Sequence, residues 1–518
     1  MNRFISLVCS AAVASSASSL FAATIFWQGG TGALISANYT GASAGLTPTA
    51  GDVVNFGNTG TATHSVPGAL SLQKLRVGHN QTTPAPGGGG TGNVTISNGA
   101  QVSLTVGAAG AANASLWVGN QQNGTLNIDG ASTSVTAAQL IMIGYGNNLG
   151  RSGTVNITNG ATLTATAGNI NLGGSTDNTN GVQGILNVDG NVSIAGGGAD
   201  LVIGAFVATS TVTQTSGSIS VNDRVEVGAT NSTGSSFNIS GGTTTSGGSF
   251  VVGLGTSTNT AATITGGTIN TSLRFLVGGG TTASGNVVTH SAGTLNTTLD
   301  VRVGDTTSGT STYNLSGTGI INSTTGMIVG RQGTAKFSQT GGQANLGGTL
   351  AIGNRESLTT ANSGLYEISG GTLSATALNI APNGVGELRV IGDDGTINVN
   401  GNFAASNTAS GAATLSYKLE SGDLLSMITA TGAATFAAGT SLVLDDSAAS
   451  PTQTVYDLLT ATSITDSGIA FTGPAGWSYR IVAGGNGQVL QAYVPEPGTI
   501  VLAMIGCAAV LAGRRRVA

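Results

Sequence analysis

Asp200 and Arg224, and later Arg274 and Asp300, place an acid and a base at the same position of successive sequence repeats. Cleaving a glycosidic bond needs two carboxylates in one cleft, or calcium-binding acids beside a basic side chain. Opposite charges stacked one repeat apart predict surface ion pairs instead, each worth at most about 1 kcal/mol. Asp129 and Asp189 occupy matching Asn-x-Asp-Gly turns, but Thr158 fills that place in the repeat between them. Two rungs would set those carboxylates roughly 10 Å apart, with no third acid to complete a site. Asp393-Asp394 and Asp445-Asp446 stand beside turns or loops, where paired acids cap or are solvated. Gly196-Gly197-Gly198-Ala199-Asp200 approaches a calcium-binding nonapeptide, yet Ala199 replaces a required glycine and the unit does not recur, so no metal is assigned. The histidines are His64, His79 and His290. His290 fills an apolar slot (Val288-Thr289-His290) that Gln214 and Gln339 fill in equivalent repeats, which predicts a hydrogen-bonded ladder residue rather than a base. No Ser-His-Asp spacing is evident, and no Gly-Lys-Ser/Thr follows the glycine-rich loops.

The elements that would hold these residues are written in a regular spacing. An aliphatic residue followed by glycine recurs at Gly78, Gly119, Gly144, Gly173, Gly204, Gly228, Gly253, Gly278, Gly304, Gly330 and Gly353, with Ala381 as a degenerate last member. From Gly204 to Gly330 the intervals are 24, 25, 25, 26 and 26 residues. A fixed period of this size signals a solenoid. The residue before each glycine is aliphatic and the residue two places earlier is apolar, as in Val225-Glu226-Val227 and Phe275-Leu276-Val277. That alternation predicts a strand with one buried face. A second piece has a polar centre between apolar residues, as in Leu126-Asn127-Ile128 and Tyr313-Asn314-Leu315. A third follows a glycine-bearing corner, as in Thr268-Ile269 after Gly266-Gly267 and Thr372-Leu373 after Gly370-Gly371. Three short strands per coil predict an all-β, right-handed parallel β-helix of about twelve coils, stacked to share one core over a rod on the order of 55 to 60 Å long. Antiparallel hairpins would give a two-strand alternation instead. The expected divisions are an N-terminal cap at 24–70, β-helix repeats at 71–400 and a C-terminal β-rich capping region at 401–493. On this scaffold the charged residues are read as structural and the chain as non-enzymatic, with no catalytic, cofactor or metal residue assigned. A β-helix polysaccharide lyase or glycoside hydrolase is the alternative.

Composition narrows the setting. Glycine accounts for 85 of 518 residues, charged residues for 7% and aromatics for 4%, while the net charge is only −5. No basic face can be built from so few cations, which excludes nucleic acid as a partner. Asn2-Arg3 ahead of an apolar run from Phe4 to Leu20 reads as a signal peptide over 1–23, with Ala22-Ala23 at the cleavage point. The two cysteines, Cys9 and Cys507, both lie in terminal targeting segments, so a processed chain has no disulfide or thiol chemistry.

At the other end, Pro495-Glu496-Pro497 precedes a short apolar run from Thr499 to Ala512, and Arg514, Arg515 and Arg516 follow at once. The run is below the roughly 17 to 25 residues that a stable membrane helix needs, so it reads as a short hydrophobic helix that anchors transiently. The arginines hold the terminus on the cytoplasmic side. This arrangement resembles the PEP-CTERM sorting signal, here spanning 494–518. The resemblance implies an exosortase-type sorting protease as partner, transient inner-membrane attachment, and an exported protein at the cell surface or in the extracellular matrix, associated with exopolysaccharide and biofilm. Phe26-Trp27-Gln28-Gly29-Gly30 and the later Ala50-Gly51-Asp52 resemble the opening cap of autotransporter-like β-helix passengers, and residues 401–493 resemble their C-terminal cap.

Overall fold

The computed structural model describes residues 24–495, apart from 28–29, 35–38, 41–51, 57–59, 80–90, 107–113, 121, 147–149, 175–180, 206–207, 355–361, 408–410, 421–423 and 486. The signal-peptide segment 1–23 and the tail from Glu496 onward, with its expected helix, lie outside the described residues. Within them the protein is an all-β parallel solenoid, and the coils that carry the aliphatic-glycine spacing number about twelve.

Each coil contributes one strand to each of three stacks. In one coil these are Asn123–Asp129, Ser134–Ala137 and Ile141–Ile143, assigned here to stacks one, two and three. They pair in parallel and in register with Ser152–Thr158, Thr162–Ala165 and Ile170–Leu172 of the next coil. Every pairing between named strands of the repeat region is parallel, with one isolated antiparallel bridge at Gly174 and Val182, so the hairpin alternative does not hold. In later coils the corner between stacks one and two is tight enough that one strand spans both, as in Ala261–Thr271 and Asn286–Thr297.

The predicted alternation is the core. Leu75, Leu116, Ile141, Ile170 and Leu201 stack rung on rung, as do Val77, Val118, Ile143, Leu172 and Ile203, and all are buried. One cluster of buried apolar side chains runs from Leu34 to Ala492. Toward the middle it becomes aromatic: Phe237, Phe250, Phe275, Tyr313, Phe337 and Tyr366 contact one another in series, with ring centroids 4.7 to 6.1 Å apart.

The recurring glycine has a steric cause. Gly330 sits at φ +76°, and a Cβ there would lie 2.5 Å from the Ser363 carbonyl oxygen of the next coil. Positive φ and backbone approach together exclude a side chain. Ala381, the degenerate member, still takes the left-handed conformation at φ 52°.

The parallel ladder continues past residue 400. Phe403–Ala405 pairs with Ala433–Phe436, and Ala413–Lys418 with Ser441–Asp445. It ends at an antiparallel ribbon of Ser478–Gly484 and Gly487–Tyr493, the latter also antiparallel to Val455–Ala461. At the other end Thr24–Trp27 is already parallel to Val53–Phe56, and that strand to Lys74–Val77.

Candidate functional site: the three outer faces

Stack three carries ionic chains on its outer face and flank. Arg224 bridges Asp200 and Glu226, at 3.6 and 3.0 Å. Arg274 Nε reaches Asp300 Oδ1 at 2.8 Å, Arg302 Nε reaches Asp300 Oδ2 at 2.6 Å, and Arg302 and Arg331 share Asp305. Both acid–base couples expected from the repeat spacing therefore form. They are less superficial than expected, because Asp200 and Glu226 are only 8% and 6% exposed. Burial accordingly pushes both carboxyls up, against the pull of Arg224.

Stack one carries a second network near its C-terminal end. Glu367 accepts from Lys336 Nζ at 2.8 Å and from Arg389 at 3.2 Å, while Arg389 also holds Glu387 at 2.9 Å. Burial opposes ionisation of Glu367, but the two cations outweigh it and its pKa is lowered. Asp129 accepts from the Thr158 hydroxyl and from Asn159 Nδ2, each at 2.7 Å. Those bonds hold its carboxyl below the usual range, the wrong direction for a general acid. Asp189 accepts from the Ser216 hydroxyl one coil on. Asp393 and Asp394 are exposed at a turn, and Asp445 accepts from the Ser447 backbone at 2.9 Å. Among the described residues no three His, Cys, Asp or Glu side chains converge as a metal site.

His290 lies in the inner slot of stack one, in register with Ile264 and Leu315. It accepts from the Tyr313 hydroxyl at Nδ1 (2.9 Å) and donates from Nε2 to the Gly293 carbonyl (3.1 Å). Gln339 has the same solution: its amide donates to the Thr372 carbonyl at 3.0 Å and its Oε1 accepts from Tyr366 at 2.6 Å. Burial lowers the pKa of His290 and of His64. His79 donates from Nδ1 to Asn120 Oδ1 (3.3 Å) and accepts from Arg76 at Nε2 (3.4 Å). Burial and the neighbouring guanidinium lower its pKa to about 4.

Stack two differs from both other faces. From Gly68–Leu72 to Ile428–Ala430 its described strands contain no charged and no aromatic residue. Its outward positions form two ranks along the rod. Thr162, Ser218, Thr243, Thr268 and Thr294 belong to one, and Thr164, Ser220, Thr245, Asn270 and Asn296 to the other. In the second rank Asn296, Asn322 and Asn345 each donate from Nδ2 to the Oδ1 of the preceding asparagine, at 2.8, 2.9 and 3.0 Å. A groove of about 580 Å³ runs over these amides, from Asn270 to Ser374. The asparagines went unremarked at the sequence level, although Thr-Ile-Asn at 268–270 and Thr-Leu-Asn at 294–296 carried the signal.

These features define a parallel β-solenoid in which several acids, among them Asp129, Asp189, Asp300 and Glu367, are engaged between coils and the faces differ in charge. Among the described residues its last backbone tie is the Val494 N–H to the Thr454 carbonyl, at 2.9 Å, and Pro495 follows in an exposed position. Residues 494–516 match the family model of the PEP-CTERM protein-sorting motif. That motif is processed by exosortase, a membrane protein, and marks the chain as exported and targeted to the cell surface. Of the sorting residues, Pro495 is described, whereas Glu496, Pro497, Arg514, Arg515 and Arg516 lie outside the described residues. Among the described residues no helix is long and apolar enough to cross a membrane. No curated protein matches the chain.

Proposed function

We propose that this protein is a non-enzymatic structural or adhesive rod of the cell surface or extracellular matrix, delivered through its PEP-CTERM tail and associated with exopolysaccharide in a biofilm. The observation that carries this reading is the continuity of its hydroxyl- and amide-bearing faces along one stacked core. Such faces suit weak contacts repeated along a polymer, where avidity replaces the affinity of a single site. The acids favour the same reading, since Asp129, Asp189, Asp300 and Glu367 each engage at least one carboxylate oxygen with a neighbouring coil. In delivery, exosortase is the processing partner and the inner membrane a transient one; the bound partner is extracellular polysaccharide. Incubating the exported protein with native matrix and with a panel of neutral and acidic glycans tests this. Co-sedimentation without shortening of the polymer is expected. Depolymerisation that disappears in Asp129→Asn or Asp189→Asn would establish the lyase or hydrolase alternative.

A further inference from the structure

We infer that the uncharged face of stack two is the glycan-binding surface, and that it takes a neutral, unbranched polysaccharide lying along the rod axis. This inference rests on the glycan-binding reading above and adds to it the face and the class of polymer.

Three observations converge on this face. First, charge partitions between the stacks: the ionic chains lie on stacks one and three, whereas the described strands of stack two carry none. A neutral polymer meets no unpaired charge there, while an acidic one finds no cation to offset its desolvation. Second, the amide ladder leaves defined valences. A primary amide offers two N–H donors and a carbonyl oxygen with two lone pairs. At Asn296 and Asn322 the ladder uses one donor and one lone pair. One of each remains at these two rungs, about 4.8 Å apart. Adjacent sugar hydroxyls, which both donate and accept, are suited to that pairing. Because the ladder already fixes the amides, little side-chain entropy remains to be lost on binding. Third, the groove runs across five successive rungs, from Asn270 to Ser374, so it follows the rod and seats a linear chain rather than a compact ligand. With no aromatic platform on these strands each contact is weak, and polymer length supplies the avidity.

The test compares two triple variants of the full mature chain in affinity electrophoresis through gels containing dextran, hydroxyethyl cellulose or alginate. One variant carries Asn296→Ala, Asn322→Ala and Asn345→Ala. The other carries Asn127→Ala, Asn156→Ala and Asn187→Ala, which dismantles the corresponding amide ladder of stack one. A third variant, Thr268→Lys with Thr294→Lys, keeps the stack-two ladder and places charge beside it, which guards against loss of folding in the first. Circular dichroism and protease resistance report whether each is folded. The native chain is expected to be retarded by a neutral glucan. That affinity should drop about tenfold or more in both folded stack-two variants and stay within about twofold in the stack-one variant. Neutral-glucan binding that survives both stack-two changes, or retention by alginate alone, would overturn the assignment and leave the broader glycan-binding reading standing. No retention by any of the polymers, nor by native matrix, would overturn both.

Discussion

At the scale of single residues, the corner glycine and His79 make opposite demands on their surroundings. Gly330 needs the left-handed conformation and the space a methyl would fill, with the Ser363 carbonyl 2.5 Å from where a Cβ would stand. Gly330→Ala should therefore cost about 2 kcal/mol or more, the handedness penalty alone being about 1–2. Ala381→Gly is the informative counterpart. It relieves about 1–2 kcal/mol of strain, but gives up a buried methyl worth about 0.8 and frees the unfolded chain by about 0.4–1. The net change should fall within about 0.8 kcal/mol of zero. Hydrogen exchange in the flanking coils measures both, since a solenoid opens locally rather than in one step. His79 is a proton sensor of stability. Its pKa drops from 6.5 to about 4 on folding, so below pH 6.5 the unfolded chain takes up the proton first. Stability is then fully present above that pH, declines as pH falls toward 4, and levels off once both states are protonated. His79→Gln should remove on the order of 3 kcal/mol of that dependence, read as a flatter urea midpoint between pH 6.5 and 4 than in the native chain. An equal slope in both proteins would assign the pH dependence to other groups.

At the scale of strands and stacks, the inner slot of stack one shows how a buried polar residue is tolerated. Gln339 satisfies its oxygen only through Tyr366, whose ring also stacks on Phe337 at 4.7 Å. Tyr366→Phe keeps the ring and deletes the bond, leaving a buried acceptor without its partner. A cost of about 1–3 kcal/mol is expected, visible as faster amide exchange in the coil of Ser363–Ile380; unchanged protection there would mean that water replaces the hydroxyl. Arg274→Ala should cost within about 1 kcal/mol, since the guanidinium is 37% exposed and screened. The same strands show what the sequence could reveal. Alternation and period were legible because one apolar face per strand must point inward on every rung, and the period then placed Arg274 beside Asp300 and Asp200 beside Arg224. Outward positions carry no such constraint, so the asparagine rank from Asn270 to Asn345 left only a faint trace. The aromatic series was hidden for another reason. It passes from stack one to Phe250 and Phe275 of stack three and back to stack one, and no period states how far apart those stacks lie across the core. Past residue 400 the glycine spacing stops because Ala405 is followed by Ser406 instead of glycine, while the parallel pairing that the spacing had announced carries on.

At the scale of the whole molecule, a rod built by stacking has one unavoidable weakness, its ends. Every internal strand has a neighbour on both sides, whereas a terminal rung offers unpaired N–H and C=O groups and an open apolar cross-section. At the C-terminal end the ribbon of Ser478–Gly484 and Gly487–Tyr493 pairs with one of the three last strands, whereas Ser463–Asp466 and Ala470–Thr472 pair only with the preceding rung among the described residues. The ribbon runs antiparallel to Val455–Ala461, so on that one stack the direction of pairing reverses and the parallel ladder cannot be extended through it. It also covers apolar surface: Tyr456 stacks on Trp477 at 5.5 Å, and Tyr479 and Ile481 pack against the core. Two truncations separate capping from sorting. A chain ending at Pro495 keeps the ribbon and lacks the rest of the tail, and it should remain monomeric. A chain ending at Gly476 loses the ribbon as well, exposing the edge of Val455–Ala461 together with Leu458 and Leu459, which are fully buried in the intact rod. It should associate end to end, with a sedimentation coefficient that rises with concentration, while its far-ultraviolet circular dichroism stays that of a β-solenoid. A monodisperse, folded chain at the same concentrations would show that the last parallel rung is self-sufficient, and that the ribbon serves only to present the sorting segment.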